Sequence, residues 1–146
     1  TLKPTASTNI TCKVDLVNET TANYTDFERR YYWNGTTVRN YLEGNFTTME
    51  FLSNKSTFDG MLVGPKGVLY TTREQLRSVD GGYQCGVFSV SLMHGDPWYE
   101  LRVMNGTVEH IPVQCENFTK QFFERRKQWT SLYNSTCQKI LKNKKP

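Results

Sequence analysis

The sequence is poor in the residues on which catalysis and metal chemistry are usually built. Only two histidines occur, His94 and His110, and they stand apart. His94 lies beside Gly95-Asp96-Pro97 and His110 precedes Ile111-Pro112, turn settings that leave an imidazole solvated rather than poised as a base. There is no C-x-x-C pair and no Cys/His grouping, so the usual zinc spacings are missing. Glu28, Glu43, Glu50, Glu74 and Glu100 are scattered, and no motif pairs two of them for glycoside chemistry. Gly81-Gly82 leads into a strand pattern rather than a helix and is no phosphate loop. No run approaches the roughly 20 apolar residues of a membrane span. No leader-like segment opens the chain, and residue 1 is Thr, so the sequence reads as a mature or trimmed form. The net charge of +4 is modest and much of it sits at Lys139, Lys142, Lys144 and Lys145, a solvated tail rather than a nucleic-acid footprint. An enzyme, a metal site, a cofactor and a nucleic-acid partner are therefore not expected.

What is abundant is the Asn-x-Ser/Thr acceptor triplet. Asn9, Asn18, Asn23, Asn34, Asn45, Asn54, Asn105, Asn117 and Asn134 each open one, and none has proline in the middle. Such sites are used only on segments that reach the secretory lumen and face solvent. Four cysteines, Cys12, Cys85, Cys115 and Cys137, fit two disulfides in the same oxidising compartment, with three connectivities open. A secreted glycoprotein is the expectation. At 146 residues, one domain spanning 1–146 is expected, long enough to bury a core.

Along the chain, short β-branched and aromatic runs alternate with Asn, Gly and Asp. Strands are predicted over Ile10–Val17, Thr25–Trp33, Thr36–Leu42, Asn45–Leu52, Ser56–Val63, Val68–Thr72, Tyr83–Leu92 and Trp98–Asn105. Asn34-Gly35 is a strong two-residue hairpin signal, and Gly44 marks a turn or bulge. Further turns fall at Gly64-Pro65-Lys66-Gly67, Asp80-Gly81-Gly82 and Gly95-Asp96-Pro97. From Glu116 to Trp129 the period changes, because Phe118, Phe122, Arg125 and Trp129 recur at helical spacing with Phe123 widening the stripe. Many short strands followed by one amphipathic helix suggest a sandwich or an up-and-down barrel. Aromatic residues make up 13% of the chain, and a barrel of about eight strands encloses room for one small ligand.

Four segments together resemble the tick salivary lipocalins, including the histamine-binding and japanin-like members. They are Cys85-Gly86-Val87-Phe88, Trp98-Tyr99-Glu100-Leu101-Arg102-Val103, Cys115-Glu116-Asn117-Phe118 and Cys137-Gln138, with Asn9-Ile10-Thr11-Cys12 matching the family's first cysteine. The resemblance implies an all-β, lipocalin-type antiparallel barrel with one C-terminal helix packed outside. It implies the pairs Cys12–Cys137 and Cys85–Cys115. It further implies secretion into a feeding wound and capture of host mediators such as histamine, serotonin, leukotrienes, thromboxane or cholesterol, or a host immune protein as partner. The family carries a short helix and a strand before its first cysteine, whereas only eleven residues precede Cys12. Either an N-terminal portion is missing, which is the expectation, or Thr1 to Thr8 is a remnant of that strand.

For the ligand, Glu100 matches a family position that faces the cavity, and Arg102 falls on the same face two residues on. Tyr31, Trp33, Phe51, Leu62, Tyr70, Phe88 and Met104 complete the expected cavity lining. Amine-binding relatives use several carboxylates, but Gly86 follows Cys85 here and Val68–Thr72 carries no acid. A hydrophobic lipid such as a sterol therefore ranks first, a carboxylate-bearing eicosanoid second and a biogenic amine third. A protein-binding immunomodulator with a vestigial cavity is the competing class. Glycans over the outer surface would direct recognition to the barrel interior or its mouth.

Overall fold

A computed structural model describes residues 2–3, 10–48, 59–92, 97–122 and 130–142. The expected features at Asn9, Phe51, Asn54, His94, Phe123, Arg125, Trp129 and the last two lysines lie outside the described residues. Among the described residues nine strands form one antiparallel sheet: β1 (Leu2–Lys3), β2 (Ile10–Thr20), β3 (Tyr24–Trp33), β4 (Thr36–Thr47), β5 (Gly60–Pro65), β6 (Thr72–Val79), β7 (Cys85–Leu92), β8 (Trp98–Val103) and β9 (Thr130–Ser131). Their order is β2-β3-β4-β5-β6-β7-β8-β1-β9, a meander in which each long strand pairs with its sequence neighbour.

Local chemistry sets the corners. Asn34 and Gly35 both have positive φ, 48° and 82°, as a two-residue hairpin turn between β3 and β4 requires. Asp80 fixes the corner before β7: its carboxylate accepts from the backbone amides of Gly82, Gln84 and Cys85. Those bonds, led by the one from Cys85, hold its carboxyl below the ordinary range.

Three strand expectations need adjustment. Thr36–Leu42 and Asn45–Leu52 belong, through Thr47, to one long strand, because Gly44 sits in mid-ladder opposite Thr25 and Val63 rather than at a turn. Gly44 is there because Met61 fills the space a side chain would take: a Cβ would come within 2.7 Å of its sulfur. The segment Val68–Tyr70 is an exposed connection rather than a strand, and the following strand is Thr72–Val79.

The sheet curls into a barrel-like trough. Side chains from non-neighbouring strands meet on one face, Lys13 of β2 reaching Glu100 of β8 and Arg29 of β3 reaching Glu74 of β6. Near the seam between the first long strand and the end of the chain, the Cys12 amide donates to the Leu132 carbonyl at 2.6 Å.

The opposite, convex face carries the apolar packing. Helix α1 (Val113–Phe122) begins three residues earlier than expected and sets Cys115 and Phe118 against Cys85, Val87 and Leu101. Val87 and Leu101 face each other across β7 and β8, so alternation alone puts both under the helix. Burying side chains of this size stabilises by about 1.5–3 kcal/mol each. A second cluster, Cys12, Cys137 and Ile140 with Val14 and Tyr32, seats a short helix α2 (Lys139–Lys142) on β2 and β3. Arg30 completes it, donating to the Ile140 carbonyl at 2.8 Å while its other side pairs with Glu28. The disulfides are Cys12–Cys137 and Cys85–Cys115, the pairing that the resemblance implies. No helix among the described residues is long and apolar enough to cross a membrane.

Candidate functional site

The concave face is where the fold departs from an ordinary core. Period-two alternation turns Trp98, Glu100 and Arg102 of β8 away from α1 and into the trough. Glu100 is fully buried there. Its Oε2 accepts from Lys13 Nζ and from the Trp98 indole, each at 2.8 Å, and its Oε1 accepts from Arg102 at 3.0 Å. Arg102 continues to Glu74 of β6, Nη1 to Oε1 at 2.6 Å, and lies with its guanidinium 4.4 Å from the centre of the Phe88 ring. Glu74 is likewise fully buried and accepts from Arg29 of β3 at 3.1 Å. Arg29 closes the chain of contacts with a two-pronged pair to Asp15, at 2.8 and 2.9 Å.

Three cations (Lys13, Arg29, Arg102) and three carboxylates (Asp15, Glu74, Glu100) thus form one continuous network across four strands. Its formal charge is zero. Burial alone would push the Glu100 carboxyl up, but Arg102 and Lys13 outweigh it and hold the group well below the ordinary carboxylate range. Glu74 is lowered for the same reason, burial being overcome by Arg102 and Arg29. At Asp15, too, burial opposes ionisation and Arg29 prevails. Burial is also the largest influence on Lys13, and there it wins, leaving the ammonium easier to deprotonate than a free lysine despite Glu100. Desolvating six charges is expensive, and their mutual pairing is what makes it tolerable.

Around the network the same face is apolar. Register places Phe27, Leu42, Val63, Phe88 and Val90 on it, with Tyr31 two residues beyond Arg29. One polar atom on this face has no partner among the described residues, the buried hydroxyl of Thr72 opposite Val63.

Of the residues expected to line a cavity, Glu100, Arg102, Tyr31 and Phe88 share this face. Trp33 has the same parity but lies at the strand end, 47% exposed. Leu62 falls on the convex face, between Asn45 and Arg73. Tyr70 and Met104 lie outside strands and are exposed. Sequence reasoning did not gather Lys13, Asp15, Arg29, Glu74, Trp98 and Thr72 into the site. The available signal was the charge embedded in the aromatic run Tyr24–Trp33, which no strand needs for its own stability.

All four cysteines are in disulfides. Asp80, Cys85 and Cys115 lie close together, yet both sulfurs are spent in a bond to each other and offer no thiolate to a metal. No protein-family model matches the chain, and no curated protein matches it. Function therefore rests on the site itself.

Proposed function

We propose that this chain is a secreted lipocalin-type binding protein, similar to the tick salivary lipocalins, that holds a neutral hydrophobic ligand against its concave face. The observation that carries the ligand class is the charge balance of the interior. Among the described residues each member of the buried network is already paired, and the network sums to zero. A carboxylate-bearing eicosanoid would leave one buried negative charge in excess, and a protonated amine one positive charge. Either excess costs several kcal/mol in a desolvated site. A sterol or comparable lipid adds none. Its apolar body suits the wall of Phe27, Leu42, Val63 and Val90, and a single hydroxyl suits the unpartnered Thr72.

The antiparallel order β2 to β8, continued by β1, supports the lipocalin reading, as do the convex helix and the disulfide pairs. Two disulfides and nine sequons support secretion. A role in host immune modulation follows from the resemblance and from removal of a lipid mediator by binding.

The amine reading has one observation in its favour. Lys13 already places an ammonium on Glu100 beside an indole, and burial weakens its hold on that proton. An amine ligand would have to replace Lys13 there. Native mass spectrometry of protein secreted from eukaryotic cells separates the readings. A co-purifying sterol or neutral lipid supports the proposal; an amine or fatty acid bound in its place, or no ligand after exposure to all three, rejects it.

A further inference from the structure

The convex face has a groove that the packing of the two helices leaves open. Glu43 and Asn45 stand on that face of β4, opposite Gly64 and Leu62 of β5. Beyond Gly64 the chain turns at Lys66-Gly67 and folds back, so that Leu69 and Tyr70 lie directly on the glycine. A Cβ at Gly64 would come 2.7 Å from the Leu69 carbonyl oxygen and 3.0 Å from the Tyr70 Cα. Between this loop and β4 lies a groove of about 300 Å³, with Glu43 and Asn45 on one side and Val68, Leu69 and Tyr70 on the other. One wall is polar. The other is apolar and, for a soluble surface, unusually bare: Leu69 is 84% exposed and Val68 65%.

Asn45 opens the triplet Asn45-Phe46-Thr47, so the polar wall carries its own attachment point for sugar. We propose that the groove is the seat of the first N-acetylglucosamine of a glycan borne by Asn45. The C–H face of the pyranose would lie on Leu69 and Tyr70, and its hydroxyl rim would face Glu43. Attachment forms a bond from Asn45 Nδ2 to C1 of the sugar as the C1–O bond to a lipid-linked pyrophosphate donor breaks. The pyrophosphate leaves with the electron pair, and the amide gives up one proton. Asn45 Nδ2 now donates to Glu43 Oε1 at 3.2 Å, and the hydrogen that survives attachment can keep that bond, fixing the direction in which the sugar leaves the strand. The loop's exposed leucine and valine then cease to be a hydrophobic liability.

The inference shares with the proposed function only the passage through the secretory lumen and does not depend on any interior ligand. Its test is glycopeptide mapping of protein secreted from eukaryotic cells, followed by timed digestion of the native protein with an amidase that cuts at the asparagine–sugar bond. Release at Asn45 should be several-fold slower than at Asn117, which is exposed on α1, and Leu69→Ser should remove the difference without altering Asn117. Leu69 is too exposed for that change to threaten folding. Independently, Thr47→Ala should speed amide hydrogen exchange over residues 66–71 several-fold, whereas Thr119→Ala should not. Asn45 bare while other sequons carry sugar would overturn the proposal. So would equal release at Asn45 and Asn117, or a slow Asn45 that Leu69→Ser leaves slow. Sugar at no sequon would remove the secretory reading as well.

Discussion

Lys13 Nζ and Glu100 Oε2 lie 2.8 Å apart although the residues are 87 positions apart in the sequence, and their contact joins β2 to β8 across the trough. Neither residue belongs to an apolar pattern that would call for it. Their pairing is the visible end of a buried network, and its consequences can be measured.

Replacing Glu100 by Gln should be strongly destabilising. It leaves Lys13 buried without its carboxylate and Arg102 with Glu74 alone, and removing one member of a buried ion pair costs about 3–5 kcal/mol. Lys13→Met should cost less, because Glu100 keeps Arg102 and the Trp98 indole. Urea unfolding of the two variants and of the double variant gives the coupling; strict additivity would contradict a shared network.

Acid should unfold the protein through the same groups. Asp15, Glu74 and Glu100 have folded-state affinities for protons below their ordinary values of 3.8, 4.5 and 4.5. The unfolded chain therefore takes up protons first as pH falls. The stability these groups contribute is complete above about pH 5 and is lost progressively as pH drops through their folded values. Denaturation midpoints measured from pH 7 to pH 2 should be level at first and then fall, with the fall reduced in Glu100→Gln.

How much of this was legible in the sequence depends on which face a residue serves. The convex face obeys simple rules: Val87 and Leu101 alternate as a half-buried strand should, and Phe118 falls on a helical stripe. Glu100 and Arg102 could be placed together because they are two residues apart on one strand. β6 was not legible, because its concave-facing residues are Thr72, Glu74 and Leu76 and its alternation shows no apolar period. Only the partners Arg29 and Arg102, 45 residues before and 28 after, explain a carboxylate at that position. Gly44 misled for a related reason, its cause being Met61 on the neighbouring strand rather than a local turn.

Gly64 and Gly44, each pressed close against a neighbour, should respond differently to Ala. At Gly64 the new methyl meets backbone of the Leu69–Tyr70 loop, which must shift, and overpacking of this kind costs about 1–3 kcal/mol. At Gly44 it meets the flexible end of Met61, which can swing aside. Thermal unfolding should rank Gly64→Ala below Gly44→Ala.

The disulfides should also rank. On the chain-entropy relation, a loop closed across 125 residues contributes about 4.9 kcal/mol and one across 30 residues about 3.6 kcal/mol. Double replacement of Cys12 and Cys137 by Ala should lower the urea midpoint more than replacement of Cys85 and Cys115. Equal losses would contradict a ranking set by loop closure.

The charge-balanced interior is tested most directly by calorimetric titration of the disulfide-bonded protein, expressed in eukaryotic cells, with a sterol, a fatty acid and histamine under one buffer condition. Saturable binding of the sterol with a negative heat-capacity change, and weaker or no binding of the two charged ligands, is the expected result. Tight binding of histamine or of the fatty acid, with the sterol silent, would contradict it.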